Sequence, residues 1–215
     1  MTMPTLTLYY ADGANCSERI RWLLAWKQLP CQQINIEQAD TPPDLQAHFA
    51  AISPFGQVPV LEVDGAALTE SMAIAEYLEE IAPACPLLGA NPWQRARIRQ
   101  VCEIVNAGLH PVQNSSAVRY YRPDLSKAGM RPLRAGWLAR HLQQIQPLLW
   151  QHSNHAVGEA FSLADIFLAL IWRKALALGL PPQQLPAFVH YWEFLQQQPA
   201  VRASCQGLAL AGQDE

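Results

Sequence analysis

Residues 53–78, SPFGQVPVLEVDGAALTESMAIAEYL, leave few folds open to this chain. Gln57-Val58-Pro59-Val60-Leu61-Glu62-Val63 is rich in β-branched residues and predicts a strand with Pro59 near its start. Proline has no donor for a ladder, so it belongs at a strand's beginning or edge. Asp64-Gly65 is a two-residue turn that closes a hairpin onto Ala66-Ala67-Leu68-Thr69. Glu70-Ser71 then stands directly before an apolar stretch with helical spacing, which predicts a helix from about Ser71. A helix N-terminus presents unpaired N–H groups and a partial positive charge, which suits a carboxylate. A Val58–Pro59 bond held cis turns the Val58 N–H and C=O outward, where an extended peptide can pair with them. A strand-like edge beside an anion site suits a small, extended, acidic peptide.

The rest of the chain frames that stretch. Residues 6–10 alternate Thr with apolar residues and predict a first strand. Residues 11–15 form a turn, and Asn15 with Glu18 fits an N-cap box for a helix from about Cys16 to Gln28. Residues 33–36 predict a second strand, parallel to the first through a right-handed crossover. Thr41-Pro42-Pro43 opens a short helical region ending near Ile52. This β-α-β then β-β-α order is a thioredoxin-like arrangement. Pro83, Pro86, Gly89 and Pro92 are a dense run of breakers. They predict an α/β domain over 1–82, a linker over 83–92 and an all-α domain over 93–215. In the latter, helices are expected over residues 93–108, 131–150, 164–178 and 188–198, with a loosely held tail from Gly207. Ser162-Leu163-Ala164-Asp165 reads as a capping box for the third and most apolar of these helices, a folding element rather than a catalytic one.

Several function classes drop out. A formal charge of -3 argues against nucleic-acid binding, which needs a basic surface. The five cysteines are odd in number and contain no C-x-x-C pair, so neither a disulfide framework nor a metal site is expected. A reducing cytoplasmic setting is the expectation. The N-terminus has no basic head before an apolar run, so no signal peptide is read there. No stretch approaches the roughly 18–20 apolar residues of a membrane span.

The order Q-V-P-V-L … D-G … L-T-E-S-x-A-I-A-x-Y-L resembles the glutathione-binding half of the soluble glutathione transferases. The Ser162-x-x-Asp165 motif is similar to one at the matching helix of that family, so the resemblance covers nearly the whole chain. It implies the glutathione transferase fold, glutathione as cofactor and a homodimer. It also implies that Gln57 and Val58 pair with the cysteinyl part of glutathione, and that Glu70 and Ser71 hold its γ-glutamyl end.

Such an enzyme must ionise the glutathione thiol, which at a pKa of about 8.5 is only about 3% thiolate at pH 7. The group that does so sits at the N-terminus of the first helix, here Gly13-Ala14-Asn15-Cys16-Ser17-Glu18-Arg19-Ile20-Arg21. This segment resembles the zeta-class motif Ser-Ser-Cys-x-x-Arg-x-Arg at Cys16, Arg19 and Arg21, with Ala14 and Asn15 in the two serine places. Leu8-Tyr9-Tyr10 … Gly13-Ala14 followed by a cysteine is also similar to the beta class, where the cysteine can form a mixed disulfide with glutathione. Asn15, Cys16 and Ser17 are therefore the catalytic candidates. Cys16 can tune the cofactor thiolate, form a mixed disulfide, or pack as a small apolar side chain. Its place at a helix N-terminus predicts a lowered pKa. Arg19 and Arg21 can draw in an acidic substrate, but the main expectation for them is one solvated face plus one interdomain salt bridge. In the second domain Leu109-His110-Pro111-Val112-Gln113-Asn114 resembles a zeta motif over the glutathione and substrate cleft, which makes His110 and Gln113 candidate glutathione contacts. Trp172 and Arg173 are candidate walls of the acceptor pocket, although core packing is the main expectation for Trp172. The zeta isomerases carry a carboxylate-binding arginine where this chain has Ala177, and Arg173 can substitute from the turn before.

The favoured expectation is a glutathione transferase that activates the thiol for attack on a small electrophile. The alternatives are a zeta-type isomerase of maleylacetoacetate or maleylpyruvate, a non-catalytic binding module, and a Cys16-dependent thiol reductase.

Overall fold

A computed structural model describes residues 3–208. It divides into two compact units, one running to Cys85 and including the segment that begins at Ser204, the other from Pro86 to Ala203. The break at Cys85–Pro86 falls among the prolines of residues 83–92. The return of the chain to the first unit at Ser204 has no signature in the sequence. Most of the tail beyond Gly207 lies outside the described residues.

The N-terminal unit contains β1 (Leu6–Tyr10), α1 (Asn15–Lys27), β2 (Gln32–Asn35), α2 (Pro43–Ile52), β3 (Val60–Val63), β4 (Ala66–Thr69) and α3 (Ser71–Ile81). The sheet order is β2-β1-β3-β4, with β1 parallel to β2 and both remaining pairings antiparallel. Strand alternation sorts the core. Tyr9 and Val60, paired across β1 and β3, pack with Phe49 of α2. Leu8 and Leu61, the next pair along, point to the other face and are fully buried. The hairpin turn is made by Asp64 at φ 47° and Gly65 at φ 85°, the two positive values a tight β-turn of this kind demands. Asp64 also accepts the Thr5 N–H through Oδ1 at 2.9 Å, tying the turn to the start of β1.

The C-terminal unit carries α4 (Pro92–Glu103), a π-helical stretch Ile104–Leu109, α5 (His110–Gln113), α6 (Ser115–Tyr121), α7 (Lys127–Ile145), α8 (Leu163–Ala177), α9 (Pro186–Gln197) and α10 (Pro199–Ser204). The buried helix is α8, with residues from Leu163 through Trp172 all inaccessible. Its predicted capping box is formed, Asp165 Oδ2 accepting the Ser162 N–H at 2.9 Å. Among the described residues no helix is long and apolar enough to cross a membrane.

Candidate functional site

The Val58–Pro59 peptide is cis and leads into β3. The loop before it is locked by Ser53, whose hydroxyl accepts the Gln57 N–H and donates to the Gln57 carbonyl, both at 2.9 Å. Gln57 is exposed at the surface of this loop, and Val58 is half-buried.

After the hairpin, Glu70 adopts φ 70° and ψ 114°, a backbone conformation uncommon for a residue with a side chain. Its carbonyl accepts the Ile74 N–H at 3.0 Å and opens α3, but no side chain caps the helix and no acidic residue lies in its first turn. The N-terminal N–H groups of α3 therefore have no built-in anion, in the setting where an external carboxylate binds best. Ser71 is buried at the first position of this helix and accepts a hydrogen bond from Arg19 Nη1 at 3.2 Å.

The third component is the start of α1. Its N-cap is Ala14, in extended conformation and with no side-chain cap, so the predicted Asn15–Glu18 box is not formed. Asn15 is the first helical residue and is buried, and the carboxylate of Glu18 turns to Arg21 instead, at 2.9 Å. A hydrophobic cap residue was unexpected because Asn is the better capper and sits one place later. Ser17, a catalytic candidate, is fully buried and its hydroxyl accepts the Ala11 N–H at 3.4 Å, inside the β1–α1 turn.

Cys16 donates its S–H to the Val58 carbonyl at 3.0 Å. Burial pushes its thiol pKa up, and this outweighs the opposing effects of the Arg19 charge and of the Ser17 and Cys16 backbone N–H groups. The expectation of a lowered pKa is thus corrected. The helix N-terminus does favour the thiolate, but desolvation at a closed position disfavours charge more strongly. A carbonyl partner also requires the sulfur to keep its proton.

Arg19 and Arg21 depart from the solvated face expected of them. Arg19 is 1% exposed, beneath the start of α3. Arg21 is held by Asp12, Glu18 and Gln33, and its guanidinium lies 4.3 Å from the centre of the Tyr10 ring. Glu18 is itself 1% exposed, and burial raises its pKa from 4.5 to about 7 despite the neighbouring Arg21 charge. The burial of Arg19 against α3 is the feature of this segment that the sequence reading did not give. The spacing of Arg19, three from Cys16 and four from Asn15, puts all three on one helix face, a signal the sequence did contain.

In the C-terminal unit His110 and Gln113 lie on α5 and meet each other, Gln113 Nε2 to His110 Nδ1 at 3.2 Å. Gln113 is buried, and its carbonyl is gripped by the Arg134 guanidinium. Trp172 is 1% exposed and packs against Phe188 with ring centres 5.4 Å apart, so it belongs to the interior rather than to a pocket wall. Arg173 stacks its guanidinium over Trp192 at 5.1 Å. The Ala177 turn is met by another guanidinium, Arg131 Nη2 donating to the Ala177 carbonyl at 2.6 Å.

Residues 15–81 match the family of glutathione S-transferase N-terminal domains. The chain is 30% identical over 210 residues to a probable maleylacetoacetate isomerase of Drosophila melanogaster, covering 94% of this chain and 81% of the fly protein. It is 30% identical over 200 residues to a maleylacetoacetate isomerase of Pseudomonas aeruginosa, covering 92% of this chain and 94% of that protein. Among solved structures, the maleylacetoacetate isomerase of Anaeromyxobacter dehalogenans with bound GSH in the active site superposes with a TM-score of 0.79. That likeness is at 30% identity and spans 95% of this chain and 96% of the other.

Proposed function

This chain belongs to the glutathione S-transferase family, in its zeta group, and on that footing we propose that it is an enzyme that activates the glutathione thiol for attack on a small electrophile. Within that class the electrophile favoured is a cis-unsaturated diketo acid such as maleylacetoacetate, because the relatives and the solved structure carry that isomerase name. The observation that carries the reading is the uncapped N-terminus of α3 at Glu70-Ser71, in the same unit as the cis Val58–Pro59 peptide and the open first turn of α1.

The residues fit glutathione by chemistry as well as by order. Ser71 and the first N–H groups of α3 hold the γ-glutamyl carboxylate, with Glu70 beside them for the amino group. The backbone of Gln57 and Val58 pairs with the cysteinyl unit. When bound, glutathione supplies a thiol nucleophile that adds to an unsaturated carbon and, after rotation about the former double bond, is released unchanged. The chain's task is to hold that sulfur as an anion. Ala14 offers no side-chain donor, so the task falls to the backbone N–H groups at the start of α1 and the Asn15 amide. Cys16 serves as a neutral donor that fixes the Val58 carbonyl, a role that needs the thiol intact. His110 and Gln113 are assigned to glutathione, and Arg173, with Arg131 at the Ala177 turn, to the electrophile's carboxylates. The working form is a homodimer in the cytoplasm, in keeping with the family and with five free cysteines.

Turnover of maleylacetone with substoichiometric glutathione tests the isomerase, and conjugation of a neutral aryl halide tests general transfer. Many turnovers per glutathione are expected with the former, with Arg131→Met raising KM for the diketo acid and leaving the neutral acceptor unaffected. No retention on immobilised glutathione, together with an inert Glu70→Ala substitution, would show instead a non-catalytic module.

A further inference from the structure

An arginine with 1% of its surface exposed is an expensive residue to bury, and Arg19 is placed where its charge and its donors both reach the start of α3. Arginine carries only donors, so in the 3.2 Å contact between Arg19 Nη1 and Ser71 Oγ the serine oxygen must be the acceptor. A hydroxyl has one proton to give. With its oxygen engaged by the guanidinium, that proton is directed away from Arg19. Ser71 opens α3, whose first turn carries neither a side-chain cap nor an acidic residue. The hydroxyl proton and the free N–H groups of that turn thus form one set of donors, with a buried cation behind them.

We propose that Arg19 is a positioning residue for the anion held at α3, fixing Ser71 with its proton turned toward the ligand and adding positive charge beneath the helix N-terminus. The proposal rests on the reading that Ser71 and α3 hold the γ-glutamyl carboxylate of glutathione. Arg19 does not touch the ligand. It acts through Ser71 and through its charge beneath the helix start. A lysine in its place keeps the charge but loses the planar fork that directs the serine.

Titration calorimetry on the full chain separates this from a mere tie between α1 and α3. The ligands are glutathione and its analogue lacking the α-carboxylate of the γ-glutamyl residue. The proteins are wild type, Arg19→Met, Arg19→Lys, Ser71→Ala and the Arg19→Met/Ser71→Ala double variant. Arg19→Met is expected to weaken glutathione about tenfold, the scale of a lost charge-assisted contact, and to leave the decarboxylated analogue within about twofold. KM for glutathione rises in parallel while kcat at saturating glutathione changes less, and Arg19→Lys recovers part of the affinity. The double variant binds no worse than about twofold below Ser71→Ala, because the two act as one unit. Equal losses for both ligands, or fully multiplicative effects of the two substitutions, would overturn the positioning role while leaving glutathione binding intact. A wild-type protein that does not prefer glutathione over the analogue would remove the parent reading and this one with it. Should Arg19→Met fail to fold, Arg19→Lys with Ser71→Ala closes the same cycle.

Discussion

At Cys16 two physical effects oppose each other, and the sequence shows only one of them. Position in a first helical turn is legible from spacing, and it predicted a stabilised thiolate. Burial against the Val58 carbonyl is a tertiary fact, and it keeps the thiol protonated. The outcome separates the three readings of this residue. Cys16→Ser retains a donor for Val58 and should hold glutathione within about twofold, whereas Cys16→Ala loses one hydrogen bond, about 1 kcal/mol or fivefold in affinity. Calorimetry measures both, and intact mass after exposure to oxidised glutathione at pH 7 should show no adduct. An adduct on Cys16 would restore the mixed-disulfide reading. Glu18 makes the same point with a carboxylate. Its pKa is raised from 4.5 to about 7, so the unfolded chain ionises this group while the folded chain still holds its proton. The contribution of Glu18 to stability is therefore full below about pH 4.5 and falls as pH rises to about 7, by up to about 3 kcal/mol. Denaturant unfolding of Glu18→Gln should lose that downward slope relative to wild type across this window, and parallel curves would contradict the buried position of the carboxylate.

Elements were readable where local chemistry fixes them and were misjudged where packing or a distant cap decides. The Asp64-Gly65 turn and β4 follow from backbone requirements alone, and both stand where the sequence put them. α7 begins at Lys127 rather than Arg131, because Ser126 caps it through a 3.2 Å bond from Gly129 N–H. Pro132, a residue more usual at the first helical position, here lies inside the helix. The expected helix over residues 93–108 changes to π-helical geometry at Ile104, and α6 went unread, neither having a periodic signature. The capping box of α8 was legible, yet its reach was not. Asp165 also accepts the Ala156 N–H at 2.7 Å and the Tyr191 hydroxyl at 3.0 Å, and burial with this carboxylate raises the Tyr191 pKa well above its ordinary value. The two box residues are thus unequal. Ser162→Ala should cost about 1 kcal/mol, the usual value of a lost cap. Asp165→Ala strands several buried donors and should cost on the order of 3 kcal/mol or more in urea unfolding. Equal losses would reduce Asp165 to an ordinary cap partner.

For the whole molecule, the family and its use of glutathione were legible and the electrophile was not, and the reason is physical. The groups proposed for glutathione are backbone groups and a helix end, whose placement follows from Pro59, Asp64-Gly65 and Glu70-Ser71. The acceptor side is proposed to use side chains such as Arg173, whose partner Trp192 lies on another helix and leaves no local pattern. Binding can therefore be tested without knowing the electrophile. A ligand that binds only the folded chain stabilises it by mass action, about 2.7 kcal/mol at a hundred times its dissociation constant. Glutathione at that excess should raise the melting temperature by several degrees, and its decarboxylated analogue should do so far less. Ser71→Ala, if it weakens binding tenfold, should remove about 1.4 kcal/mol of that gain at the same concentration. Because the loss lies in the ligand term alone, the melting temperatures of wild type and Ser71→Ala should differ more with glutathione than without it. A difference that stays constant as glutathione is added would place the carboxylate somewhere other than the start of α3.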